Sequence, residues 1–241
     1  MALAPRSFNA SNLSQAPPLY KPSLVRLLSV MAFTETAVAI GLKEFQGNLD
    51  EQLEEHVEET MEEEFEHGRI AFGMLEEIGV SREESEKIVF DTVQPTSIAA
   101  STEWMSEGKD FGDLAAYSLL LDKAGELIIE NYSKSSYAPW SAACAKILEQ
   151  EEGHSEFGRQ KMRELAEKDF PKAQFYFTKW LPLVLNFLGP PQSKNTTQYV
   201  ELGLKKRDNE ELRQDFFDYA RKFAGENRLK IELKKSTYPF E

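Results

Sequence analysis

Two stretches decide how this chain folds: "EEEFEHGR" at residues 62–69 and "ILEQEEGHSEFG" at residues 147–158. Each carries the spacing Glu-x-x-His, Glu64 with His67 and Glu151 with His154. One such pair on a glutamate-rich helix means little, because composition alone produces it. Position on the helix gives these two their weight. Successive helical residues advance by about 100°, so positions three, four and seven apart share a face. Leu53, Val57, Thr60, Glu64 and Ala71 form one such stripe, with His67 at its margin. Trp140, Cys144, Ile147, Glu151, Gly158, Met162 and Leu165 form another. The remaining acids of the first run, Glu51, Glu54, Glu55, Glu58, Glu59, Glu62, Glu63 and Glu66, fall off the stripe and read as solvated charge.

Two more stripes carry inward acids. Leu24, Leu28, Met31, Glu35, Ala39 and Leu42 contain one, while Phe111, Ala115, Leu119, Asp122, Glu126 and Ile129 contain two. Spacing favours Asp122 over Glu126: Glu35 to Glu64 is 64 − 35 = 29 residues, and Asp122 to Glu151 is 151 − 122 = 29. Four inward carboxylates and two imidazoles are costly to bury unpaired, and metal cations remove that cost. One acid from each of two helices plus Glu-x-x-His from each of the other two is the ligand set of di-iron and di-manganese bundles. The expected metal ligands are therefore Glu35, Glu64, His67, Asp122, Glu151 and His154, with the four acids also shaping the chemistry. Only three histidines occur in the chain, and the third, His56, is read as a helix-surface residue.

Helical periodicity dominates elsewhere, and no alternating β-branched run makes a strand. Helices are predicted from about Pro22 to Phe45, Leu49 to Ile78, Phe111 to Ser133 and Pro139 to Lys168. A shorter helix starts at the capping spacing Ser81 with Glu84. A further connecting helix is expected between Pro95 and the "EGKDFGD" turn. An aromatic segment interrupted by Pro182 and an amphipathic helix from Asn209 to Ala224 follow. The long connection between the second and third long helices suits a ferritin-like bundle, whose helix pairs are joined by one crossover. The fold class expected is all-α, a ferritin-like four-helix bundle with additional C-terminal helices. Residues 1–20 are expected to be a flexible arm and 21–241 one di-metal helical domain.

The bulk numbers narrow the partners. With 28 basic against 41 acidic residues the net charge is -13, which repels nucleic acid and anionic membranes. One cysteine, Cys144, makes no internal disulfide and suits a reducing, cytoplasmic setting. No apolar run is expected to span a membrane.

The stretches "LLLDKAGELIIENYSKSSYAPWSAACAKILEQEEGH" and "FLGPPQSKNTTQYVELGLKKRDNEELRQDF", with "LVRLLSVMAFTETA" and "EEEFEHG", resemble the catalytic subunits of the ring-1,2-phenylacetyl-CoA epoxidase family, ferritin-like di-iron monooxygenases. The resemblance runs from about Tyr20 to Phe217 and places the family's metal ligands on the six residues named above. It implies two Fe ions, with Mn as the other candidate, O2 as co-substrate, electrons from a separate reductase, and a small aromatic or acyl-CoA substrate such as phenylacetyl-CoA. It also implies CoA-facing roles for Arg26, Lys205, Lys206 and Arg207, and pairing with a homologous structural bundle subunit, with self-association as the fallback. Thr60 departs from the family, which carries a lysine there. A ferritin-type di-metal oxidase or peroxidase, or a non-catalytic scaffold bundle of an oxygenase complex, is the other reading.

Overall fold

The computed structural model describes residues 7–92 and 110–233; these are mostly helical, with no strand longer than one bridge pair among them. Helix α1 spans Tyr20–Leu42, α2 Glu51–Glu77, α3 Arg82–Thr92, α4 Phe111–Tyr117 and α5 Lys123–Tyr132. Between α4 and α5 the rod continues through a π turn, Ser118–Asp122. Helix α6 spans Ala138–Lys168, α7 Phe170–Phe187, α8 Lys194–Glu201 and α9 Asn209–Glu226. Side-chain caps fix where several begin: Asp50 accepts from the Leu53 amide at α2, Asp110 from Asp113 at α4, and Asp208 makes a capping box with Glu211 at α9.

Helix α1 pairs with α2, the α4–π–α5 rod pairs with α6, and α2 meets α6 across the middle. This is a ferritin-like bundle. Glycines set the closest approaches: a Cβ on Gly68 would lie 2.9 Å from Thr36 Oγ1 on α1, and one on Gly158 would lie 2.1 Å from the Leu119 amide nitrogen in the π turn. Helices α7 and α9 cover the rod, while α3 and α8 lie along α1.

The core divides into two apolar clusters. One holds Val38, Val57, Leu121 and Met162; the other holds Met31, Ala71, Ile129 and Ile147. On every long helix an acid stands between members of the two clusters: Glu35 between Met31 and Val38, Glu64 between Val57 and Ala71, Asp122 between Leu121 and Ile129, Glu151 between Ile147 and Met162. A polar layer thus crosses the bundle, sealed by apolar side chains at both ends.

Three expectations need correction. The stretch expected to be a flexible arm is packed from Phe8 onward. Phe8 is 7% exposed, its amide donates to the Ser136 carbonyl at 2.8 Å, and a 3-10 turn over Ala10–Gln15 is capped by Asn9. Pro182 does not interrupt the aromatic segment, because α7 runs through it with the proline buried. Tyr20–Phe45 is, by length and composition, apolar enough to cross a membrane; in the bundle most of that surface is buried. The third predicted helix carries a π turn that periodicity does not foresee. The connecting helix expected after Pro95 lies outside the described residues.

Candidate metal centre

The polar layer gathers side chains from all four long helices. Glu35 from α1, Glu64 and His67 from α2, and Glu151 from α6 bring ligand atoms within 4.8 Å of one another, all buried. His67 Nδ1 lies 3.9 Å from Glu35 Oε2, 3.6 Å from Glu64 Oε2 and 3.6 Å from Glu151 Oε1. His154 Nδ1 lies 3.8 Å from Glu64 Oε1. These separations are too long for hydrogen bonds, and both Nδ1 atoms are buried without a hydrogen-bond partner.

The outer nitrogens are engaged. His67 Nε2 is 3.0 Å from Gln150 Oε1, and His154 Nε2 is 2.7 Å from Glu63 Oε2. An acceptor at Nε2 holds a ring proton there and leaves Nδ1 facing inward, where it can take either a proton or a metal ion. Metal-ligating histidines are held in this way. Two inward Nδ1 atoms without hydrogen-bond partners, facing carboxylates across the layer, fit cations of the hard, N/O-ligated kind.

The electrostatics of the cation-free protein agree. Burial pushes the Glu64, Asp122 and Glu151 carboxyls well above the usual carboxylate range, and for Glu151 the neighbouring Glu64 and Glu35 add to it. Burial works against a charged His67, yet the Glu35 and Glu64 carboxylates outweigh it and raise its pKa to about 11. A proton there supplies positive charge that a metal ion would replace. The cluster's charge and donor set suit cations.

Asp122 lines a cavity together with Glu35, Glu64 and Glu151, and burial leaves it only a bond from Ser118 to offset its desolvation. Glu126, the competing acid, is held elsewhere: it accepts from Ser155 Oγ at 2.6 Å and pairs with Lys123. The cavity, of about 140 Å³, is lined by those four carboxylates together with Val30, Met31, Leu121, Ile128, Phe187 and Lys205. Gly125 leaves room for the Glu151 carboxylate in the wall, since a Cβ there would lie 2.8 Å from Glu151 Oε2.

The four basic residues with expected CoA-facing roles do not form one open patch. Lys205 is buried in the cavity wall at 7% exposure, with Nζ 3.2 Å from Asn209 Oδ1. Lys206 is exposed. Arg207 is ion-paired with Glu130 and Asp215, and Arg26 donates to Asn195 Oδ1 at 3.1 Å. His56, read as a surface residue, is half-buried with its ring tilted against that of Phe157, centroids 3.7 Å apart.

Sequence reasoning missed Glu63, Gln150 and Gly125. Glu63 reads as one more solvated glutamate because a run of one residue type hides which member is used. The usable signal is positional: Glu63 and Gln150 each stand one residue before the glutamate of a Glu-x-x-His pair.

A four-helix bundle with carboxylates and imidazoles from facing helices in one buried layer defines a candidate di-metal carboxylate protein. The chain belongs to the phenylacetic acid catabolic protein family, whose model matches residues 9–238. No curated protein matches it.

Proposed function

We propose that this chain is the di-iron oxygenase component of an aromatic-degrading system, inserting one oxygen atom into the ring of a small aryl substrate carried as an acyl-CoA thioester such as phenylacetyl-CoA. The observation that carries the reading is the pair of inward, unpartnered imidazole Nδ1 atoms facing carboxylates that also wall an apolar cavity. Its volume, about 140 Å³, is close to the roughly 150 Å³ of an apolar cavity that takes up benzene. One aromatic ring fits beside the carboxylates.

Glu35, Glu64, His67, Asp122, Glu151 and His154 would hold two ions, and iron there would supply the activation of O2. The chain's own residues do the rest. Val30, Met31, Ile128 and Phe187 exclude water and hold a ring by its apolar faces. The buried Lys205 ammonium in the cavity wall offers a donor for a carbonyl oxygen, and the exposed Lys206 offers charge to anionic groups outside. Electrons come from a separate reductase, since one buried cysteine holds no iron–sulfur cluster. A homologous bundle subunit, or a second copy of the chain, is the proposed partner. A storage or peroxidase role has no use for an apolar cavity on the ligands, which favours the oxygenase reading.

The test combines metal analysis of iron-reconstituted protein with turnover of phenylacetyl-CoA under 18O2 and an added reductant. Two irons per chain and one labelled oxygen in the product are expected. Iron uptake without a labelled product would leave a di-metal oxidase. No binding of the thioester by calorimetry, or equal binding of free phenylacetate, would remove CoA from the reading.

A further inference from the structure

Glu63 and Gln150 join across the helix pair. Gln150 Nε2 donates to Glu63 Oε1 at 2.7 Å, so one continuous chain runs from His67 through Gln150 and Glu63 to His154. The connections cross over. Glu63, four residues before His67 on α2, holds His154 on α6; Gln150, four residues before His154, holds His67. We infer that Glu63 and Gln150 are positioning residues forming one bridge that fixes both imidazoles with Nδ1 inward, so that neither metal position is set without the other. This rests on the di-metal reading above and names what organises it.

The donor–acceptor order makes the inference specific. His67 Nε2–H donates to the Gln150 carbonyl oxygen, the Gln150 amide donates to Glu63, and Glu63 accepts again from His154 Nε2–H. Glu63 is the one member that accepts from both sides, and only a carboxylate does so in this arrangement. An amide at position 63 still accepts one bond but turns a donor toward the other neighbour. If that neighbour is Gln150, its amide must flip and present N–H to His67. The His67 proton then moves to Nδ1, where a metal ion should bind. If it is His154, that imidazole carries the inward proton instead. A carboxylate at position 150 fails differently, because it faces the Glu63 carboxylate with no donor between them. Exchanging the two restores the order: the carboxylate, now at position 150, accepts from His67 and from the amide at position 63, whose oxygen accepts from His154.

The experiment is therefore a swap. Metal-free full-length protein and the variants Glu63→Gln, Gln150→Glu and Glu63→Gln/Gln150→Glu are titrated with Co(II), reading the visible ligand-field bands and the number of ions per chain, with circular dichroism as the check on folding. The parent is expected to take up two Co(II). Each single variant should bind both ions about 10–100-fold more weakly, the usual effect of removing the partner that orients a ligand. The double variant should return to within about threefold of the parent. A merely structural role predicts no such rescue. Single variants that bind like the parent, or a double variant no better than the weaker single one, overturn the bridge while leaving the di-metal reading standing. A parent that takes up no Co(II) overturns both. Glu63 keeps 37% of its side chain exposed, which favours folding of its variant. Should a single variant fail to fold, the double variant's affinity alone decides, parent-like for the bridge and tenfold weaker against it.

Discussion

At the scale of single residues, the polar layer sets binding against stability, and Asp122 shows the conflict most simply. Burial raises its carboxyl well above the ordinary aspartate range, opposed only by a bond from Ser118. In the cation-free protein the folded state keeps a proton that the unfolded chain releases once pH exceeds that range. Stability therefore falls as pH rises through it and toward the raised folded pKa. Asparagine carries no such proton. The metal-free Asp122→Asn variant at pH 7 is expected to melt at least 2–4 °C above the metal-free parent, roughly the shift made by 1 kcal/mol in a chain of this length. Metal should raise the melting temperature of the parent and do so far less for the variant. Calorimetry with and without chelator checks both, and a variant less stable than the parent in chelator would mean that Asp122 contributes bonds the free carboxyl makes only in the folded state. The same conflict explains why Glu35, Glu64 and Glu151 were legible in the sequence: an acid centred on an apolar stripe is unfavourable unless something pairs with it. Glu63 and Gln150 were not legible, because partly exposed residues incur no such penalty and look like any surface side chain.

At the scale of elements, the helices were readable from periodicity and caps, while the π turn at Ser118–Asp122 was not. A π turn adds one residue to the helix without changing the hydrophobic pattern enough to announce itself. Its consequence is local. It displaces the rod so that Asp122 reaches the cavity while Glu126, four residues on, meets Ser155 and Lys123 instead. The equal interval of 29 residues pointed to Asp122, although straight helical geometry put both acids on one stripe. The turn is also where α6 comes closest, with only Gly158 between backbones. Gly158→Ala is expected to destabilise by about 1–3 kcal/mol, the range for overpacking, because the added methyl meets rigid backbone. Gly125→Ala makes the opposite kind of error: the methyl meets the free end of the Glu151 side chain. It should leave melting of the metal-free protein within about 1 kcal/mol of the parent, since alanine also favours the helix, yet lower metal occupancy. Chelator-stripped melts and metal counts on the two variants separate these outcomes, and equal loss of stability in both would show that the Glu151 carboxylate cannot move aside.

At the scale of the whole molecule, the elements outside the bundle close it. The Ser136 hydroxyl bonds to Tyr20 on α1 and to the Leu202 carbonyl, its amide to the Gly203 carbonyl, and its own carbonyl accepts from Phe8. One turn thus ties the N-terminal segment, α1 and the end of α8 to the α5–α6 corner. The N-terminal packing was illegible because a short proline-flanked stretch has no periodicity, and what orders it is distant in sequence. Next to this corner, Asn131 Oδ1 accepts from the amides of Lys206 and Arg207, at 2.9 and 2.8 Å, and fixes the turn that carries Lys205 into the cavity wall. The basic run therefore reads differently from its sequence. Burial lowers the Lys205 pKa to about 8, with Asp208 only partly opposing. Below that value Lys205 is charged in both states; between about pH 8 and the ordinary lysine value near 10.4 the unfolded chain holds a proton that the folded chain has released, so stability rises with pH. The Lys205→Met variant should lack this rise and melt above the parent at pH 7, where the parent bears the buried charge. The two curves should converge toward pH 10.5, because the parent amine is then neutral. In iron-loaded protein the same variant should bind a phenylacetyl thioester more weakly while keeping two metal ions, because Lys205 lines the cavity but is not one of the six proposed ligands. Melting curves across pH 7–10.5, with metal counts and calorimetry on the same samples, check all of this; parallel curves for parent and variant would show that the ammonium is solvated and that the cavity presents no charge to its substrate.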